Sequence, residues 1–148
     1  MKVSIGFDHG ALPLRAPLLQ HLKDRGIEFI DHGTSSNDSV DYPDYASKVA
    51  LDVSEGRAET GILCCTTGIG MSLAANKFRN IRAAVIHYED EAALTRQHNH
   101  SNVICMGALH TTPYEANRLV DIFLDTPFEK GGRHERRVGK INQLESNC

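Results

Sequence analysis

Cys65 and the five residues after it, Thr66-Thr67-Gly68-Ile69-Gly70, are the stretch of this sequence best equipped for chemistry. The thiol ends a short apolar run, Gly61 to Cys65, and good helix formers resume from Met71 to Lys77. A strand, a glycine-rich turn and a helix start in succession bring backbone N–H groups and the positive end of a helix dipole to one point. That point favours an anion. A thiol in such a field ionises more readily than its free value of about 8.5. Cys65 is therefore a candidate thiolate beside an oxyanion cradle; the bland alternative is a small buried hydrophobe.

The stretch fits none of three familiar patterns. A C-x5-R phosphatase loop needs arginine at 71, where Met71 stands; a P-loop needs Gly-Lys-Ser/Thr after its spacer. A dinucleotide fingerprint needs a third glycine where Leu73 stands. Other candidates lie at element ends. Asp8-His9 closes a first strand, Val3–Phe7, where open α/β sheets bind ligands, although Asp8 could simply cap the next segment. Tyr42, extended before Pro43, packs or reaches a substrate hydroxyl. His98 titrates near neutrality and suits proton transfer, or else complements a helix C-terminus. Arg133 and Arg137, four apart after Gly131-Gly132, share a helix face and can converge on one anion. Arg136 and Lys140 form a second such pair, and Val138, Ile141 and Leu144 a narrow stripe suited to a helix laid across a neighbour.

The elements that must position these residues alternate along the chain. Leu14, Leu18 and Leu22 mark a helix expected from Ala16 to Arg25 and closed by Gly26, because Pro17 fits only near a first turn. Strands are expected at Ile27–Ile30, Gly61–Cys65, Ile81–Ile86 and Val103–Gly107. Helices are expected up to Val53, over Glu89–Gln97, and over Glu115–Leu124 with Ala116, Leu119, Val120 and Phe123 inward. Five strands alternating with helices imply an α/β domain with a parallel sheet, spanning residues 1–148 as one unit. Asp8-His9 and Cys65 to Gly70 then share one sheet edge.

Composition is that of a globular protein, 41% hydrophobic and 24% charged, and its net charge of −3 disfavours nucleic acid as a partner. Cysteines at 64, 65, 105 and 148 lack zinc spacing and are expected as reduced thiols. Strand-like residues begin at once, with no signal peptide and no apolar run long enough to cross a membrane, so a cytoplasmic location is expected.

Taken together, Asp8-His9, Asp41-Tyr42-Pro43, Cys65 to Gly70 with Ala74-Ala75-Asn76-Lys77, Arg96-Gln97-His98-Asn99, and Gly131-Gly132-Arg133-His134 with Arg137 resemble the sugar-phosphate isomerase family. That family includes the type B ribose-5-phosphate isomerases and the galactose-6-phosphate isomerase subunits. The resemblance runs nearly end to end. It implies a Rossmann-like α/β/α domain and a homodimer, or a dimer of dimers, with the active site at the interface and the C-terminal helix reaching the partner. It implies aldose–ketose isomerisation of a sugar phosphate through an enediolate, with no metal and no cofactor. Cys65 would be the base at C2, His98 the ring-opening acid, and Thr67 a hydroxyl beside the enediolate oxygen. Thr66, Gly68, Ile69 and Gly70 would supply the amide cradle, and one such donor is worth roughly 3 kcal/mol. Asp8, His9, Tyr42 and Asn99 would surround sugar and phosphate, with Arg133 and Arg137 on the phosphate. Thr66 departs from the family's glycine, Leu109 followed by His110 from its arginine, and Lys130 is an added residue. The alternatives are another substrate (allose 6-phosphate, galactose 6-phosphate or a tetrose phosphate), a non-catalytic binding module, or a subunit that needs a different partner chain.

Overall fold

A computed structural model describes residues 1–147. Cys148, counted above among the reduced thiols, lies outside them. Five strands form one sheet: β1 (Lys2–Phe7), β2 (Glu28–Asp31), β3 (Thr60–Cys65), β4 (Ala83–Val85) and β5 (Val103–Gly107). All neighbours are parallel, in the order β2-β1-β3-β5-β4. The three central strands are covered on both faces, which is why they read as near-continuous apolar runs.

The helices are α1 (Leu12–Asp24), α2 (Tyr42–Ser54), α3 (Ile69–Ala75), α4 (Glu89–Asn99), α5 (Pro113–Asp125) and α6 (Arg133–Leu144). Helices α1 and α5 pack together on one face of the sheet, and α2 and α3 on the other. Chain direction across the sheet therefore changes between β1 and β3. Their carboxyl ends open a crevice at that switch, the usual ligand position in such sheets.

Three expectations need correction. Helix α1 begins at Leu12, not Ala16, and carries Pro17 inside it. One missing backbone bond is outweighed by complete burial of Leu14, Leu18 and Leu22. Strand β4 is only Ala83–Val85, because Arg82 N donates to the Asn102 side chain at 2.8 Å; Ala83 N donates to the Asn76 side chain at 2.8 Å. The Arg82 bond diverts an amide that faces β5 from the ladder, and the Asn76 bond satisfies Ala83 N on the free outer edge of β4. Tyr42 is the first residue of α2 and not an extended one; Asp41 is the extended N-cap, and Pro43 falls in the first turn, where its missing N–H has no partner to lose.

One polar hub ties the layers together. Asp52, on α2, is almost fully buried; Ser4 Oγ donates to it at 2.7 Å and Arg57 Nε at 2.7 Å, and His32 Nε2 lies 2.6 Å away. Burial raises the Asp52 pKa, but the bonds from Arg57, His32 and Ser4 outweigh it and hold the carboxyl below its ordinary value.

Candidate active site

Strand alternation sends the adjacent cysteines to opposite faces. Cys64 joins the core under α1 and α5, while Cys65 and Cys105 join the core under α2 and α3. Burial pushes the Cys64 and Cys105 thiols well up, which makes them inert. Cys65 differs because it ends β3 at the crevice. There it lines an open cleft of about 430 Å³ with Asp8, Tyr42, Thr66, Thr67, Ile69, Gly70 and Leu73.

The turn after Cys65 is set by close approach. Gly68 has φ +83°, and a Cβ there would sit 3.0 Å from the Met106 carbonyl carbon; only glycine combines that conformation with that contact. Gly107 is as constrained, since a Cβ would meet the Thr67 backbone at 2.4 Å. Ala108 N and Leu109 N donate to the carbonyls of Cys65 and Thr66, at 3.0 Å each, fixing the loop from the far side.

With the turn so held, Gly68 N donates to Cys65 Sγ at 3.1 Å and Ile69 N to Thr67 Oγ1 at 3.3 Å. Two of the expected cradle amides thus already have partners inside the loop. The Gly68 N–H is thus a donor aimed at the sulfur. Helix α3 is only two turns long, so its dipole is a smaller contribution than the sequence suggested. The Tyr42 ring lies across Gly70, where a Cβ would come within 2.5 Å of it; Tyr42 both packs and walls the cleft.

Asp8 Oδ1 accepts from Gly10 N at 2.9 Å, so Asp8 does cap the following 3-10 turn. Burial raises its pKa, against the smaller opposing effects of the Gly10 bond and the His9 charge. Val40 N donates to His9 Nδ1 at 3.1 Å. An amide can only donate, so the neutral His9 ring carries its proton on Nε2, a donor aimed away from the backbone. Nothing in the local sequence marked Val40 for this task.

His98, Arg133 and His134 form a separate group, while Asn99, next to His98 at the end of α4, lines a different cleft with Asn76, Arg82, Ser101 and Ile141. Helix α4 runs antiparallel to the strands, so its end lies near the amino ends of β3 and β5; Ser101 N bonds back to Thr95 O, and Gly61 N bonds Asn102 O. Gly61 and Cys65 are four residues apart on β3, so about 13 Å of strand separates the two edges. The alternation of elements already implied this for His98, but short motifs read singly did not. Helix α6 starts beside the same edge, where the His98 and His134 rings stack with centroids 3.9 Å apart. Arg133, His134 and Glu129 line a second open cleft of about 360 Å³, and Arg137 follows one turn on. His98, Glu129 and His134 bring three ligand atoms within 4.8 Å of one another. Their parallel rings direct lone pairs side by side, so a shared ion requires the stack to open. Glu129 was not anticipated from sequence.

An α/β sheet with a thiol at its switch point and a basic group at its opposite edge defines the class. The particular family follows from comparison with known proteins. Residues 3–141 match the family described as Ribose/Galactose Isomerase, and the chain belongs to it. It is 45% identical to ribose-5-phosphate isomerase B of Escherichia coli over 144 residues, 97% of this chain and 96% of that protein. A solved ribose-5-phosphate isomerase B from Clostridium thermocellum superposes with a TM-score of 0.96 at 45% identity, covering 99% of both chains. That of Mycoplasma genitalium, solved with bound ribulose-5-phosphate, gives 0.94 at 40% identity, covering 99% of this chain and 97% of that one.

Proposed function

We propose that this chain is an aldose–ketose isomerase that interconverts D-ribose 5-phosphate and D-ribulose 5-phosphate, with Cys65 as the base. The observation that carries the role of Cys65 is its sulfur at the cleft, with the Gly68 N–H at 3.1 Å and the Thr67 hydroxyl alongside. His98 donates a proton to the ring oxygen to open the sugar. Cys65, as thiolate, removes the C2 proton, and the enediolate oxygen is held by Thr67 and loop amides other than those of Gly68 and Ile69. The same proton returns at C1. Asp8 and Tyr42 contact the sugar; His9 through Nε2, with Arg133 and Arg137, holds the phosphate, and Asn99 stands next to His98. Proton transfer through an enediolate needs no metal and no cofactor.

The two edges of one sheet do not meet, so the working unit is a homodimer in which one copy's Cys65 cleft faces its partner's His98 group. A two-fold axis makes both sites at once. Ile69 and Leu73, 55% and 63% exposed at the cleft wall, are apolar surface that such a partner covers. Each chain acts as a single domain over residues 1–148. Among the described residues no helix is long and apolar enough to cross a membrane, and a cytoplasmic setting suits a phosphorylated substrate. A second substrate reading, a four- or six-carbon sugar phosphate, is favoured by Thr66 at the cleft and by Leu109, 65% exposed on the loop bonded to it.

The test is proton NMR of ribose 5-phosphate with the purified chain in D2O and EDTA, beside Cys65→Ala. Ketose from the wild type alone supports the reading. Ketose from both variants removes Cys65 as base; ketose from neither removes this substrate and directs the assay to tetrose and hexose phosphates.

A further inference from the structure

His98 does not stand alone. The His134 ring lies flat on it, 3.9 Å between centroids and 8° from parallel. Only 13% of the His134 side chain is exposed, and its Nε2 lies 3.6 Å from Glu129 Oε2. Glu129 is itself anchored, its N–H donating to Gln97 O at 3.1 Å, one residue before His98. At the start of α6 the loop is closed by Gly131 N, which donates to Glu135 Oε2 at 3.1 Å. The loop before α6 and the end of α4 are therefore joined around this ring pair.

We propose that His134 is a positioning residue for ring opening: it fixes the plane of the His98 imidazole and takes no proton itself. The proposal rests on the assignment of His98 as the ring-opening acid. The χ2 torsion of histidine is broad and two-fold, so an unsupported ring at a helix end samples many orientations. A flat neighbour removes that freedom. Desolvation first, then the charges of His98, Arg133 and Arg137, push the His134 pKa down against the opposing pull of Glu129. A neutral flat face is attractive to an imidazolium, whereas two stacked imidazoliums would repel. In the step itself, His98 gives a proton to the ring oxygen. The bond from that oxygen to C1 breaks with its electron pair leaving on oxygen. The C1 hydroxyl proton passes to water as the aldehyde forms, and His98 is reprotonated from solvent.

The experiment compares wild type, His134→Ala and His134→Phe on ribose 5-phosphate carrying hydrogen or deuterium at C2, with EDTA throughout. His134→Ala is expected to lower kcat/KM about tenfold, the scale of a misplaced catalytic group. The deuterium effect in that variant is expected close to unity, because ring opening then limits the rate. His134→Phe, which keeps a flat face without a titrating group, is expected to recover to within about threefold of wild type. His134→Leu, which fills the space without a plane, replaces the alanine variant if that does not fold. The proposal is overturned by an unchanged rate in His134→Ala, by a slow variant with a clear deuterium effect, or by a phenylalanine variant as slow as alanine. A wild type that forms no ketose is a different result; it removes the isomerase reading on which the proposal stands.

Discussion

Val40 and His9 are joined by a backbone-to-ring hydrogen bond of 3.1 Å that occupies Nδ1 of His9 and leaves Nε2 as its other polar atom. The loop before α2 thus sets the tautomer of a residue after β1.

His9→Gln can present an amide near the former Nε2, whereas His9→Asn reaches only the Nδ1 position. Steady-state kinetics on ribose 5-phosphate should show KM raised about tenfold in His9→Asn and less in His9→Gln, for the loss of one charge-assisted bond. Equal effects would remove the Nε2 contact.

Hybrid dimers test the split site directly. Cys65→Ala and His98→Ala, each inactive alone, are refolded together in equal amounts. Half the dimers are then hybrids with one complete site of two, so roughly a quarter of wild-type activity should return. No return would mean that each site draws on one chain.

Thiol chemistry separates the cysteines. In a Cys148→Ser background, iodoacetamide should modify Cys65 and abolish turnover. Cys64 and Cys105, fully buried with raised pKa values, should react only after unfolding. Peptide mapping reads the outcome, and ribose 5-phosphate should protect Cys65.

Two glycines separate packing from conformation. Gly107→Ala drives a Cβ into the Thr67 backbone and should cost about 1–3 kcal/mol in thermal or urea unfolding. Gly70→Ala meets the Tyr42 ring first, and that ring can swing outward. Stability should then hold while KM rises.

The two buried carboxylates act oppositely with pH. The lowered pKa of Asp52 gives stability that is present above the ordinary 3.8 and is lost as pH falls through its folded value. Asp8 has a raised pKa, so its contribution is present below 3.8 and is lost as pH rises through its folded value. At pH 7, Asp52→Ala should destabilise by about 2 kcal/mol, chiefly by orphaning the buried Ser4 hydroxyl. Asp8→Asn should raise the melting temperature while lowering activity.

Much of the fold was legible because burial writes a period into the chain. Leu14, Leu18 and Leu22 gave α1, and the unbroken apolar runs gave β3 and β5. The start of α1 was misplaced because Pro17 looks prohibitive until the burial it accompanies is weighed. The late start of β4 reflects the Asn102 side chain, 20 residues from its partner Arg82, beyond any window of periodicity. Cys65 and Asp8 stand out by their position at strand ends, and Thr67 only through the family resemblance. The Val40 bond to His9 and the Glu129 contact to His134 depend on how loops close, which no local pattern encodes.

Cys64 and Cys65 are neighbours in sequence but belong to opposite halves of the core. The pairing of Cys65 with Gly107 and of Cys64 with Met106 is therefore a chemical instruction as well as a structural one. A slip of β3 by a single residue would leave the composition of the sheet unchanged and bring the inert sulfur to the crevice. Which sulfur stands at the crevice is selected by counting along a strand.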